Sequence, residues 1–187
     1  MTKNDTIYIG IDPDVDRNGV AVLKVESRKM AVVMLPFYQT LEFIAETHKK
    51  AISGGNGFKV IVEAGWMNHG NYHLRKWDGR ESSAAKGVDQ GRNEQVSRLI
   101  GEYCEHAGVP YEFKRPLPKC WMGHDRKITR EELEQVTGQN LGRLNQEGRD
   151  AALLAWDKAG LPIRARYDSA KMDGQTAKML YRMLKNK

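Results

Sequence analysis

Four carboxylates in this chain of 187 residues stand where short elements begin or end. Asp12 closes the alternating stretch IYIGID, and Glu63 closes the apolar run FKVIVE. Glu147 and Asp150 open a late helical pattern, three residues apart, so they project from one helix face one turn from each other. The positive end of the helix dipole favours negative charge at that place. Carboxylates brought side by side repel unless a cation lies between them. A ligand set made only of oxygens suits Mg²⁺ or Mn²⁺. Two such ions about 4 Å apart activate water and stabilise the leaving oxygen in phosphodiester hydrolysis. The plainer alternative is four unconnected, solvated acids at strand ends and helix starts. The choice rests on whether the elements bring them together.

Those elements are legible as patterns. Ile7, Ile9 and Ile11 alternate with Tyr8 and Gly10, the period of a strand. Pro13 ends it, Asn18-Gly19 reads as a hairpin turn, and Val20 to Leu23 as the returning strand. Lys29 to Leu35 is a third strand, stopped by Pro36. Leu41 to Ser53 reads as a helix with Leu41, Ile44, Ala45 and Ile52 on its apolar side, closed by Gly54-Gly55-Asn56-Gly57. Phe58 to Glu63 reads as a buried strand. Residues 64 to 92 are the least regular stretch, a long loop carrying Trp66, His69, Tyr72, His73 and Trp77. A helix over about 93–107 follows, with Val96, Leu99, Ile100, Tyr103, Cys104 and Ala107 at helical spacing and Gly108 as its stop. Its apolar face serves either the core or a subunit interface. Tyr111 to Lys114 is a fifth strand. Residues 116–128 form a basic loop. Thr129 and Glu132 make a capping box for a helix ending at Gly138. Asn145 caps a last helix over about 146–159, and Ala177, Leu180 and Leu184 fit a short amphipathic helix in the tail.

Three antiparallel strands followed by alternating helices and strands imply an α/β domain with a mixed five-stranded sheet flanked by helices, the layout of the ribonuclease H-like fold. One domain over residues 1–163 and a basic tail over 164–187 are expected. No apolar run approaches the roughly 20 residues of a membrane helix. The opening MTKNDTIYIGID reads as a strand and not as a secretory leader. Cys104 and Cys120 suggest neither a CxxC site nor a disulfide framework, which fits a reducing cytoplasmic setting. The formal net charge is +6. Residues 114–130 carry six basic side chains against Asp125, and residues 161–187 carry seven against Asp168 and Asp173. Two basic blocks on a balanced domain suit a polyanion, with ordinary solubilising charge as the alternative.

The chain resembles the RuvC family of Holliday junction resolvases over residues 7 to about 158. The resemblance is carried by IGIDP with the hairpin strand after it, by VIVEAGW, and by Gln90-Gly91-Arg92 with the following helix. It continues through Lys119, Gly123 and Lys127 at the spacing of two family lysines, and ends in Glu147-x-x-Asp150-Ala-Ala-Leu. It implies Asp12, Glu63 and Asp150 as metal ligands with Glu147 as a fourth, holding two Mg²⁺ ions, with Mn²⁺ as a substitute. Lys119 and Lys127 would neutralise charge on the scissile phosphate, or serve as plain phosphate contacts. Trp66 occupies a position where the family places an aromatic that contacts DNA; a hydrophobic plug at the loop base is its other reading. Arg92 and Arg126 complete the implied DNA contacts. The expected partners are branched DNA and a second copy of the chain, since paired cuts need two sites on a two-fold axis. The chain departs from the family where Asp14 and Asp16 follow Asp12-Pro13, in the aromatic and histidine content of its 66–90 loop, and in the tail.

Other readings fit less well. Asp12-x-Asp14-x-Asp16 superficially resembles a calcium loop, but Arg17 and Leu23 stand where an EF-hand needs Gly and Glu. His69 and His73 flank Gly70 and Asn71, poor helix formers for an i, i+4 metal pair. No phosphate-binding loop for a nucleotide is present. A nuclease acting on branched DNA, by paired nicks at four-way junctions, is therefore expected. The alternatives are a junction-binding module of the same fold that does not cut, and a related nuclease for forks, flaps or RNA–DNA hybrids.

Overall fold

The computed structural model describes residues 5–68 and 79–163. Its elements run β1 (Thr6–Asp12), β2 (Asn18–Lys24), β3 (Lys29–Leu35), α1 (Phe37–Ser53), β4 (Gly57–Glu63), α2 (Arg80–His106), β5 (Tyr111–Lys114), α3 (Arg130–Thr137) and α4 (Gln146–Lys158). Single 3₁₀ turns sit at Gly65–Met67 and His124–Arg126. The sheet order is β3-β2-β1-β4-β5. β1, β2 and β3 pair antiparallel, whereas β4 joins β1, and β5 joins β4, in parallel. Order and directions are those of the ribonuclease H-like fold.

Both faces of the sheet are covered, which is why its central strands read as nearly continuous apolar runs. Ile7, Ile9 and Ile11 of β1 and Val60 and Val62 of β4 pack with Ile44 of α1 and Ile100 and Cys104 of α2. Ala21 and Leu23 of β2 join Ala151, Ala152, Ala155 and Trp156 of α4, with Leu133 and Val136 of α3 and Trp121 of the basic loop. Strand alternation then puts Gly10 and Asp12 on the α4 side of β1, and Glu63 on the same side of β4.

α4 lies unusually close to the sheet, and two glycines permit it. A Cβ on Gly10 would stand 2.4 Å from the Ala151 carbonyl oxygen and 2.9 Å from the Ala155 nitrogen. A Cβ on Gly19 would fall on the carbonyl group of Glu147. Gly19 is the register partner of Asp12. The first turn of α4 is therefore pressed against the strand pair at the level of Asp12. Gly148, Ala151, Ala152 and Ala155 supply the small side chains on the helix half of this contact.

The structure corrects three expected boundaries. Asn18-Gly19 is not the hairpin turn but the start of β2; the turn occupies residues 13–17. Asp14 builds it, its Oδ1 accepting from the backbone N–H of Asp16 (2.9 Å) and of Arg17 (3.4 Å). Asn18 is fully buried. Its Oδ1 accepts from the Asp14 N–H at 3.1 Å, and its Nδ2 donates to Thr40 Oγ1 at 2.9 Å. α1 begins at Phe37, not Leu41, since Pro36 ends the strand and its carbonyl accepts from Thr40 N–H at 2.9 Å. Its inward face is Thr40, Ile44 and Ala51, while Ala45 and Ile52 are exposed. α2 starts at Arg80 and not near 93, so residues 80–92 are helix and not loop. Gly87 and Gly91 tolerate this because they face open space. The α2 face that includes Ile100 and Cys104 serves the core. Both cysteines are free and buried. No helix among the described residues is long and apolar enough to cross a membrane. His69, Tyr72, His73, Trp77 and the tail with its expected helix lie outside the described residues.

Candidate active site

Asp12 and Glu63 end adjacent parallel strands. Ile11 pairs with Val62, so the two acids follow as neighbours on the α4 side of the sheet. α4 brings Glu147 and Asp150 to the same place through the glycine contacts described above. All four side chains are partly open to solvent.

The proton affinities of Asp12, Glu63 and Asp150 register the crowding. Burial, then the charges of Glu63 and Asp150, hold the Asp12 carboxyl well above the usual carboxylate range, with Lys127 pulling it back and Glu147 adding to the rise. Glu63 is pushed up to about 7, first by burial and then by Asp150, against Lys127 and Lys119. Asp150 is also raised by burial, and a Gln146 hydrogen bond together with Lys127 and Arg149 offsets part of the rise. Two of the expected lysines thus act on the expected acids. Lys127 Nζ stands 3.8 Å from Asp150 Oδ2.

Several positioning residues carried no signal in the sequence. Arg149 donates from Nε to the Ile128 carbonyl (2.9 Å), from Nη1 to the Leu144 carbonyl (2.6 Å) and from Nη2 to Gln146 Oε1 (2.8 Å). Gln146 in turn donates to Asp150 Oδ1 at 2.8 Å. One side chain therefore ties the basic loop, the entry to α4 and an acid together. Glu132 does more than cap its own helix: Oε2 accepts from Thr129 N–H and Oε1 from Met122 N–H, both at 2.9 Å. The loop is further closed by Gly123 N–H to the Lys127 carbonyl at 3.0 Å. From the opposite side of the sheet, α2 grips both strand ends. Ser97 Oγ donates to the Glu63 carbonyl at 2.6 Å. Asn93 accepts from Val15 N–H at 3.1 Å and donates to Asp14 Oδ2 at 3.4 Å. Asp14, a departure from the family pattern, is thus spent on the turn and its tether.

Not every expected contact joins the cluster. Arg92 pairs with Asp89, 3.8 Å away on the exposed side of α2. Neither it nor Arg126 is among the charges that act most strongly on the acids. Trp66 packs edge-on against Phe113 with ring centroids 5.0 Å apart, and the Arg98 guanidinium lies over its ring.

Among the described residues, no three acidic, histidine or cysteine side chains stand close enough to hold a metal ion as placed. The donor chemistry does fit a hard divalent cation: oxygen donors only, from carboxylates whose mutual repulsion a cation relieves. That repulsion makes a prediction for the metal-free protein. The folded Glu63 value of about 7 lies above its ordinary 4.5. Its contribution to stability is therefore complete below about pH 4.5 and lost as pH rises through about 7, on the order of 3 kcal/mol. Unfolding by denaturant in EDTA should show this fall in wild type and a smaller one in Glu63→Gln. Equal pH profiles would mean that the Glu63 carboxyl is not crowded.

No family model and no curated protein sequence matches the chain. Among solved structures, the chain is similar to RuvC of T. thermophilus in complex with Holliday junction substrate, at 17% sequence identity and a TM-score of 0.41. The match covers 83% of this chain and 96% of that one.

Proposed function

We propose that this chain is a metal-dependent endonuclease that hydrolyses phosphodiester bonds in branched DNA, resolving four-way junctions by paired nicks. The observation that carries the reading is that Asp12 and Glu63 end adjacent parallel strands and that α4, seated on Gly19, brings Glu147 and Asp150 to the same end of the sheet, with Lys127 Nζ 3.8 Å from Asp150. Acids at separate, unrelated surface sites would not raise one another's proton affinity. The sequence resemblance to the RuvC family supplies the substrate class.

Asp12, Glu63 and Asp150, with Glu147, would hold Mg²⁺ or Mn²⁺, two ions per site. When bound, such ions would supply a nucleophilic water and charge neutralisation at the leaving oxygen. The chain's own residues do the rest. Lys127 and Lys119 reach toward the acids from the basic loop and take the negative charge of the phosphate. Arg149 and Glu132 fix that loop, so the lysines are aimed before substrate arrives. Ser97 and Asn93 hold the two strand ends from behind. Cutting both strands symmetrically takes two such sites, so the acting unit is a homodimer. The basic tail over 164–187 adds a further surface for phosphates. The nuclease domain is assigned to residues 1–163.

The test uses labelled four-way junction and matched linear duplex with the full-length protein, in Mg²⁺, Mn²⁺ or EDTA. Paired, metal-dependent nicks confined to the junction are expected. Tight junction binding without cutting in either metal would make the chain a shape-binding module. Equal cutting of both substrates would retain the nuclease and remove the junction preference.

A further inference from the structure

Trp66 stands three residues beyond Glu63, and one face of its ring is covered. The Arg98 guanidinium carbon lies 4.0 Å from the ring centroid, within the range of a cation–π contact. The indole is itself held. Phe113 meets it edge-on at 5.0 Å, and Tyr111 meets Phe113 edge-on at 5.5 Å. Gly101, one turn beyond Arg98 on α2, leaves the room that Phe113 fills, because a Cβ there would overlap the Phe113 ring. Tyr111, Phe113, Trp66 and Arg98 thus form a connected column along the β4–β5 side of the sheet.

The column ends in a charge facing solvent. Arg98 is exposed, and among the described residues no carboxylate is paired with it. A guanidinium resting over an indole is restrained by it while its N–H groups remain available to a further partner. Such a group can grip a phosphate with two parallel hydrogen bonds, which an ammonium does not reproduce. Its place relative to the acids is also fixed. The neighbouring Ser97 is buried and donates to the Glu63 carbonyl at 2.6 Å, so one turn of α2 positions both Glu63 and Arg98. Lys119 and Lys127 approach the acids from the basic loop, whereas Arg98 comes from the α2 side.

We propose that Arg98, held over Trp66, is a phosphate clamp for nucleic acid beside the acidic cluster, and that Trp66 acts as its platform. The proposal rests on the nucleic-acid reading above and adds a residue and a contact that reading does not require. A DNA backbone crossing the acids is then held from both sides, which fixes its register before any chemistry.

The experiment measures binding of the full-length protein to labelled junction and to linear duplex in EDTA, over a salt series, with thermal unfolding of each variant as a control for folding. Arg98→Ala is expected to weaken binding roughly tenfold, the loss of a charged hydrogen-bonded contact. It should also reduce the slope of log affinity against log salt by about one, the loss of one phosphate contact. Trp66→Leu removes no charge, yet it should weaken binding in the same direction because Arg98 loses the ring that restrains it. Arg98→Lys should keep most of the salt slope but not the affinity. Unchanged affinity and slope in Arg98→Ala would overturn the clamp while leaving the nuclease reading intact. Tighter binding by Arg98→Ala with weaker binding by Trp66→Leu would show that the indole is the contact and the arginine its cover. Wild-type protein that binds neither DNA at any salt would remove the proposed function itself, and the clamp with it.

Discussion

Asp12→Asn is expected to abolish junction cleavage while leaving junction affinity within about twofold of wild type. The side chain keeps its size and one oxygen, so the strand end and the contact with α4 should persist. What disappears is one of the negative charges that a cation would balance. A bound metal contributes several kcal/mol of transition-state stabilisation, so its loss lowers the rate by roughly 10³-fold or more. The basic surface is untouched, which is why binding should survive. Single-turnover cleavage and EDTA binding isotherms on the same preparation separate the two quantities. A variant that cuts at the wild-type rate would remove Asp12 from the metal set. A variant that has lost binding as well would mean that the fold, not the chemistry, was damaged; the unfolding curve reports that directly.

The second large effect is expected from a residue with no functional group at all. Gly19→Ala places a methyl group on the carbonyl of Glu147. A main-chain oxygen at the start of a packed helix cannot rotate away as a side chain would. α4 must shift, and overpacking of this kind costs about 1–3 kcal/mol, occasionally more. The shift moves Glu147 and Asp150 relative to Asp12, and a displacement of about 1 Å is worth on the order of 100-fold in rate. Gly19→Ala should therefore lose both stability and activity. Gly87→Ala, on the open side of α2 where nothing stands within 4 Å, is the contrast. It should gain about 0.5–1 kcal/mol, because a helical glycine is replaced by the best helix former. A Gly19→Ala variant with wild-type stability would show that α4 does not rest on β2 in this way.

The parts of the fold legible in the sequence are those written in local terms. Strand periodicity fixed the five strands to within about two residues, because alternation and flanking breakers act over a few positions. The Thr129–Glu132 capping box is likewise local, and both of its hydrogen bonds form. The Asn145 cap also forms, accepting from the Gly148 N–H. Legibility failed where a distant partner decided. Asn18-Gly19 has the composition of a turn, but Asn18 is claimed by Asp14 and Thr40, and Gly19 by α4. Residues 80–92 carry two glycines and little apolar spacing, so nothing local announced a helix. The acids of the candidate site stood out in the sequence because carboxylates at strand ends are few. Their supports were not: Arg149, Gln146, Ser97 and Asn93 are ordinary polar residues whose roles depend on what α2 and α4 lie against. Trp66 was visible as an aromatic near Glu63, but Arg98 above it, 32 positions along the chain, was not.

The seat of α4 on Gly10 and Gly19 has a consequence for the order of events during synthesis. The contact joins the first two strands of the chain to its last described helix, roughly 130–140 residues away. Such a contact can form only after nearly the whole domain has left the ribosome, and long-range contacts are the slow ones to close. A nascent chain that has already paired β1 with β4 holds Asp12 and Glu63 side by side but has no Asp150. The two halves of the proposed acidic site are therefore expected to come together late, when α4 docks.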